Sequence, residues 1–152
     1  MVTAVAELSG QAFRWNLSAD VGSRQPNRLD DVELVRFGYY CMSQDTRFPP
    51  DPKLRPVLQA MRSLGPFDQD LANVIVTHQR NRRPTQDGKV SVAKVSFTST
   101  NRERYDGAHS WIIISLNNNM IDIAGDVYPR IDKHPASGPE VSKAVKKIFG
   151  VS

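Results

Sequence analysis

The stretch that most constrains the fold is a helical pattern between two turn signals, within Leu64–Val90. Four side chains recur at i, i+3, i+4 and i+7, the spacing of one buried helix face: Leu71, Val74, Ile75 and His78. Asp68 can cap the helix, because its carboxylate can accept a backbone N–H of the first turn. Gly65-Pro66 and Asp87-Gly88 are turn pairs on either side. The stretch therefore predicts a capped, half-buried helix over Asp68–Gln79, ended by Pro84.

Apolar periodicity and end signals predict three more helices: Val32–Ser43, Leu54–Leu64 and Pro139–Phe149. Asp30 or Asp31 can cap the first of them. Near the N-terminus, Phe13, Trp15 and Leu17 alternate with other residues, which indicates a short strand with these three side chains on one side.

The apolar stretch Trp111–Ile123 allows two interpretations, because Asn117–Asn119 interrupts it. Asparagine tolerates a left-handed backbone and is a poor residue for a helix interior. These properties favour a β-hairpin with the asparagines at its tip. One buried helix across the whole stretch is the alternative.

Composition sets wider limits on the class of protein. A chain of 152 residues predicts one domain, or a small domain with an appended half. Apolar content of 39% and charged content of 24% are typical of an ordinary soluble protein. A net charge of +4 and a pI near 9.4 favour acidic partners such as nucleic acid, anionic lipid or cell-wall polymer. A single cysteine excludes an internal disulfide framework.

The N-terminal Met1–Gly10 lacks a basic start and a long apolar run, and Glu7 interrupts it. It therefore predicts neither a secretory signal nor a transmembrane span. The expected location is cytoplasmic, and export would need a non-classical or contractile route.

The turn at Gly65, the helix Asp68–Gln79 and the turn Asp87-Gly88 together resemble bacterial peptidoglycan-binding-like domains of the small three-helix type. Such domains carry a Gly-rich turn, a helix ending in aromatic-Gln, and an Asp-Gly turn several residues later. The upstream run from Val21-Gly22 to Arg36 is similar to the first loop and first helix of that family, so the resemblance covers roughly residues 15–90. Arg36 stands where glutamine is usual, and His78 stands where the aromatic residue is usual.

The resemblance implies a three-helix bundle and a binding role, directed at wall glycan, wall peptide or a protein partner. Candidate ligand-binding residues lie on the first helix and at the end of the third: Arg36, His78, Gln79, Arg80 and Arg83. A basic cluster of Arg80, Arg82 and Arg83, which Arg55 and Arg62 could join, could also meet phosphates. Cations at a helix C-terminus are the favoured explanation for them, and no specific nucleic acid is expected.

A catalytic alternative comes from Cys41, His109 and Asp122, whose order and rough spacing are those of papain-like and transglutaminase-like enzymes. There a thiolate attacks an acyl group, a histidine moves the proton, and an aspartate orients the imidazole. Cys41 lies late in its predicted helix on an apolar face, which favours a buried small hydrophobe instead. The three histidines are not at paired spacing, so neither a metal nor a cofactor is expected; Asp122 and Asp126 are favoured as solvated carboxylates over cation ligands.

The predicted fold is α+β and mainly α: a three-helix bundle with an N-terminal arm over residues 1–90, then a β-hairpin and a C-terminal helix over residues 91–152. The two parts are expected to pack as one globule. The predicted function is a non-catalytic binding or accessory protein, at the cell envelope or in a secretion machine such as a contractile, type VI-like system. A Cys-His-Asp hydrolase or deamidase is the alternative.

Overall fold

A computed structural model describes residues 2–5, 14–82, 86–93 and 111–152. These ranges contain five α-helices: α1 Leu29–Gln44, α2 Arg55–Ala60, α3 Gln69–Arg82, α4 Ile112–Ala124 and α5 Pro139–Ile148. Four short strands form two antiparallel pairs, β1 Thr3–Val5 with β2 Arg14–Asn16 and β3 Val21–Gly22 with β4 Lys89–Val90. The structure is thus mainly α with a small β content, which confirms the predicted fold class.

The four predicted helices exist close to their predicted positions as α1, α2, α3 and α5. The largest difference is in α2, which ends at Ala60 rather than Leu64. The backbone turns to an extended conformation at Met61. Beyond Met61, the carbonyl groups of Arg62, Gly65 and Pro66 accept N–H groups from the side chain of Arg36 in α1 instead of continuing the helix.

The predicted hairpin is wrong, since Trp111–Ile123 instead contains the continuous helix α4. The asparagine that suggested a turn, Asn117, is fully buried. Its amide bonds to the backbone of Trp15: the Trp15 N–H donates to Oδ1, and Nδ2 donates to the Trp15 carbonyl, both at 2.7 Å. Nδ2 also donates to the carbonyl of Ile113 one turn earlier. These distant partners satisfy the amide inside the helix, so the local preference of asparagine for turns is overridden.

The helix α1 lies at the centre of the fold, and every residue from Asp31 to Tyr39 is buried. The helices α4 and α5 both pack on it. A Cβ on Gly38 would clash with the side chain of Leu116, so the glycine permits the close approach of α1 and α4.

The first turn of α1 carries carboxylates that bond backbone N–H groups of other segments. Asp30 accepts the N–H of Val2 at 2.7 Å. Asp31 accepts the N–H groups of Ser18 and Ala19 at 2.8 and 3.2 Å, and the Ser18 hydroxyl at 2.7 Å. Each carboxylate therefore fixes a different part of the N-terminal chain to α1.

The next carboxylate, Glu33, does the same for α5. Its Oε2 accepts the N–H of Val141 at 2.7 Å, in the first turn of α5. A side chain at Gly138 would clash with this carboxylate. Burial raises the pKa of Glu33, against the lowering effect of the backbone N–H groups of Val141 and Glu140. Glu33 thus caps α5 from another helix. The backbone N–H groups offset only part of the free energy that burial of the carboxylate costs.

Within the ranges that the structure describes, no helix has the length and apolar character needed to cross a bilayer.

Replacing Asn117 with leucine should destabilise the protein by about 2–5 kcal/mol, because the buried polar groups of Trp15 and the hydroxyl of Tyr128 would lose a partner. Asn118, one residue on, is exposed, so Asn118→Leu is the matched control and should change stability by less than about 0.5 kcal/mol. Denaturant unfolding of both variants measures the difference. Equal losses of stability in the two variants would mean that the hydrogen bonds of the Asn117 amide do not stabilise the fold.

Replacing Glu33 with glutamine keeps an oxygen that can accept the N–H of Val141 but removes the titrating proton. A carboxyl whose pKa is raised in the folded state binds its proton before the unfolded chain does. The free energy of unfolding of the wild type should therefore rise relative to Glu33→Gln as the pH falls from neutral toward 4.5, the ordinary pKa of glutamate. Unfolding titrations at several pH values test this. If the free energy of unfolding of the wild type instead falls relative to that of Glu33→Gln on acidification, the charge of Glu33 is net stabilising.

Candidate functional site

The side chain of Arg36, a predicted ligand contact, is fully buried and faces the segment before α3. Its Nε, Nη1 and Nη2 donate to the carbonyl oxygens of Gly65, Arg62 and Pro66 at 3.0, 2.7 and 2.5 Å. A planar guanidinium has five N–H donors, whereas a glutamine amide has two on a single nitrogen. The arginine can therefore fix a turn of three carbonyls that a glutamine at this position could not hold.

Asp68 joins this arrangement to α3. Its Oδ1 lies 3.2 Å from Nη2 of Arg36, and its Oδ2 lies 3.2 Å from Nη2 of the exposed Arg62. Oδ1 also accepts the N–H of Leu71 at 2.9 Å, so the predicted helix cap is confirmed. Burial opposes the charge, but the Leu71 N–H and the two guanidinium groups outweigh it and hold the pKa of Asp68 below its ordinary value.

Gln79, the second predicted ligand contact, holds the turn after α3. Its Nε2 donates to Oδ1 of Asp87 at 2.9 Å and to the carbonyl of Lys89 at 3.0 Å. Its Oε1 accepts the N–H of Gly88 at 2.7 Å. The glutamine and the Asp-Gly turn, two separate motifs of the sequence, are therefore in direct contact. Both polar atoms of the Gln79 amide form hydrogen bonds within the chain.

His78 is also buried and packs on α1. Its Nδ1 lies 2.9 Å from the hydroxyl of Tyr39, and the two rings meet edge to face at a centroid distance of 5.5 Å. The imidazole thus fills an aromatic position in the core and adds a hydrogen bond to it.

The remaining predicted contacts are arginines at the end of α3. Arg80 is exposed. Arg83 and the side chain of Arg82 lie outside the described residues, and Arg62, which was grouped with them, pairs with Asp68. A basic cluster at this helix end therefore stays a prediction.

The structure places the catalytic alternative in an unfavourable setting. Cys41 is fully buried on α1, and burial raises the pKa of its thiol to about 12. Only about one thiol in 10⁵ would be ionised at neutral pH. His109 lies outside the described residues, and Asp122 is exposed on α4. Asp126 is exposed as well, and no group of potential metal ligands occurs in the part of the chain that the structure describes.

A surface feature that sequence reasoning missed lies between the end of α1 and the start of α2. The connecting loop encloses a groove of about 340 Å³, lined among others by Asp45, Pro49, Pro50, Arg55 and Leu58. Phe48 stands beside it with 68% of its surface exposed. The only local signal was a phenylalanine in a polar, proline-rich segment. We refer to this loop and its lining as the α1–α2 groove.

The motif side chains and the groove differ in their accessibility. Arg36, His78 and Gln79 are buried and bonded to this chain, whereas the α1–α2 groove is open and its lining residues Pro49 and Arg55 are exposed to solvent. No family model, curated protein or solved structure matches the chain.

Replacing Arg36 with lysine should destabilise the protein by about 2–4 kcal/mol, because an ammonium group cannot reproduce the fork that spans three carbonyls. Arg62→Lys is the matched control, since Arg62 contacts the same aspartate from an exposed position and should cost less than about 1 kcal/mol. Thermal and denaturant unfolding provide the measurement. A loss of less than about 1 kcal/mol in Arg36→Lys as well would assign the stabilisation to charge alone, because lysine keeps the charge.

Iodoacetamide should alkylate Cys41 slowly in the native protein at neutral pH and rapidly after denaturation, because the thiol is both buried and protonated. Mass spectrometry of timed samples, compared with free cysteine, gives the two rates. Fast labelling of the native protein would restore the catalytic interpretation.

Proposed function

We propose that this chain is a non-catalytic binding protein that acts through a protein partner, at the bacterial cell envelope or in a secretion machine. Its helices α1, α2 and α3 form a scaffold that resembles the peptidoglycan-binding type. The exposed surface of that scaffold, rather than the buried motif residues, carries recognition.

One observation carries the proposal. The polar atoms of Arg36, His78 and Gln79 are bonded to the backbone and side chains of this chain. A glycan could reach them only if these bonds were broken and buried polar groups were left without partners, which costs about 1–3 kcal/mol for each group. The same contacts make the scaffold rigid, which favours a binding surface of fixed shape.

Two further observations support a binding role. The contact of Gln79 with the turn at Asp87–Lys89 joins two motifs on which the resemblance rests. The burial of Cys41, which raises the pKa of its thiol to about 12, argues against the hydrolase alternative. The net charge of +4 would attract anionic wall polymer, but charge attraction of this kind is not specific.

We expect the tagged chain to bind purified sacculi weakly at about 0.05 M salt and to be released at about 0.5 M, because salt screens exposed charges. A protein partner that docks on apolar surface should stay bound at the higher concentration, because apolar burial is not weakened by screening. Parallel pull-downs from sacculi and from native lysate, at both salt concentrations, measure this.

The informative competitor is a muropeptide mixture added at high salt. Retention on sacculi that resists salt and is abolished by muropeptide would show specific wall binding and overturn the choice of a protein partner. A single lysate protein retained at high salt, absent with a denatured bait, is the expected result.

A further inference from the structure

We propose that the α1–α2 groove is the docking site for an extended segment of a partner protein that carries a carboxylate beside an apolar side chain. The inference rests on the proposed function and adds to it the position of the site and the chemistry of the partner. At about 340 Å³ the groove is large enough for a few side chains but not for a folded domain.

The groove is held in shape before any partner arrives. Oδ1 of the buried Asp45 accepts the N–H groups of Arg47 and Phe48 at 3.0 and 2.8 Å, which fixes the turn that follows α1. Nε of Arg55 donates to the carbonyl of Pro50 at 3.1 Å and ties the far end of the loop to α2. Because the loop is already ordered, binding would cost little conformational entropy.

An exposed aromatic side chain, Phe48, directly precedes Pro49 of the groove lining in the chain. Phe48 has 68% of its surface exposed, the largest value among the big apolar side chains of the described residues. The guanidinium carbon of Arg47 lies 5.0 Å from the centre of its ring, which steadies the ring in water. Exposed aromatic and arginine side chains of this kind are enriched among the residues that dominate protein interfaces.

The charges around the groove select the partner. Arg47, Lys53 and Arg55 form no ion pair with any described residue, whereas the carboxylates of Asp45 and Asp51 accept backbone N–H groups. These three cations and two carboxylates leave one positive charge in excess on the loop. Arg55 is the cation that lines the groove, so a carboxylate is the complementary group there. Asp45 lines the interior and would repel an anion there, so the carboxylate belongs at Arg55 and the apolar side chain belongs on Pro49 and Leu58.

The test is selection from a phage-displayed random peptide library on the immobilised full-length chain, followed by synthesis of the enriched peptides. We expect enriched peptides to carry aspartate or glutamate next to an apolar residue. Arg55→Gln and Phe48→Ser should each weaken their binding about tenfold or more. The matched controls are Arg28→Gln and Leu64→Ser, which alter exposed residues outside the groove and should leave affinity unchanged. Unchanged melting temperatures would show that all four variants fold.

A double-mutant cycle isolates the proposed ion pair. Changing the peptide carboxylate to its amide and Arg55 to glutamine should cost less together than the sum of the separate losses. Additive losses, peptides without a carboxylate, no enrichment, or binding that the groove variants leave intact would each overturn the proposal. So would a dimer, seen by sedimentation, that Phe48→Ser abolishes, because a second copy would then be the occupant. If the lysate partner still binds the groove variants at high salt, the proposed function stands and only this site is wrong.

Discussion

The connection between α2 and α3 depends on one buried cation of α1, Arg36. Its guanidinium gathers the carbonyls of Arg62, Gly65 and Pro66 and meets Asp68, so the charge is both hydrogen-bonded and paired. A buried charge is tolerated only under those conditions. The same contacts decide where α2 gives way to the turn and where α3 begins, because the carbonyls that bond Arg36 are those between the two helices. A buried side chain of α1 therefore sets the path of the chain between α2 and α3.

Buried side chains in the N-terminal half of α1 also bond segments elsewhere in the chain. Asp31 bonds the segment after β2, and Glu33 bonds the first turn of α5. Both carboxylates are buried, and desolvation by burial raises the pKa of each above its ordinary value, against hydrogen bonds that lower it. Hydrogen bonds from one helix thus position distant segments, in addition to apolar packing. The burial of the two carboxylates destabilises their charged forms in the folded protein.

Local signals predicted the helices well, because apolar spacing and a cap such as Asp68 act over a few residues. The hairpin prediction was wrong because the partner of Asn117 is Trp15, 102 residues away, and no local pattern contains that information. Arg36, His78 and Gln79 were predicted as ligand contacts, but the sequence could not show that their polar groups bond within the fold. The α1–α2 groove was missed because it depends on how Asp45 folds the loop back, which composition does not encode.

The amide of Asn117 has a consequence for the behaviour of the chain at high concentration. By exchanging two hydrogen bonds with the backbone of Trp15, it occupies the side of β2 that faces away from β1, as a neighbouring strand would. Asn16 does the same toward Ala93, accepting its N–H and donating to its carbonyl, both at 3.0 Å. Open strand edges recruit other chains and start aggregates. The side chain of Asn117 thus closes the outer edge of β2 against intermolecular pairing, and the side chain of Asn16 occupies the backbone of Ala93 in the same way.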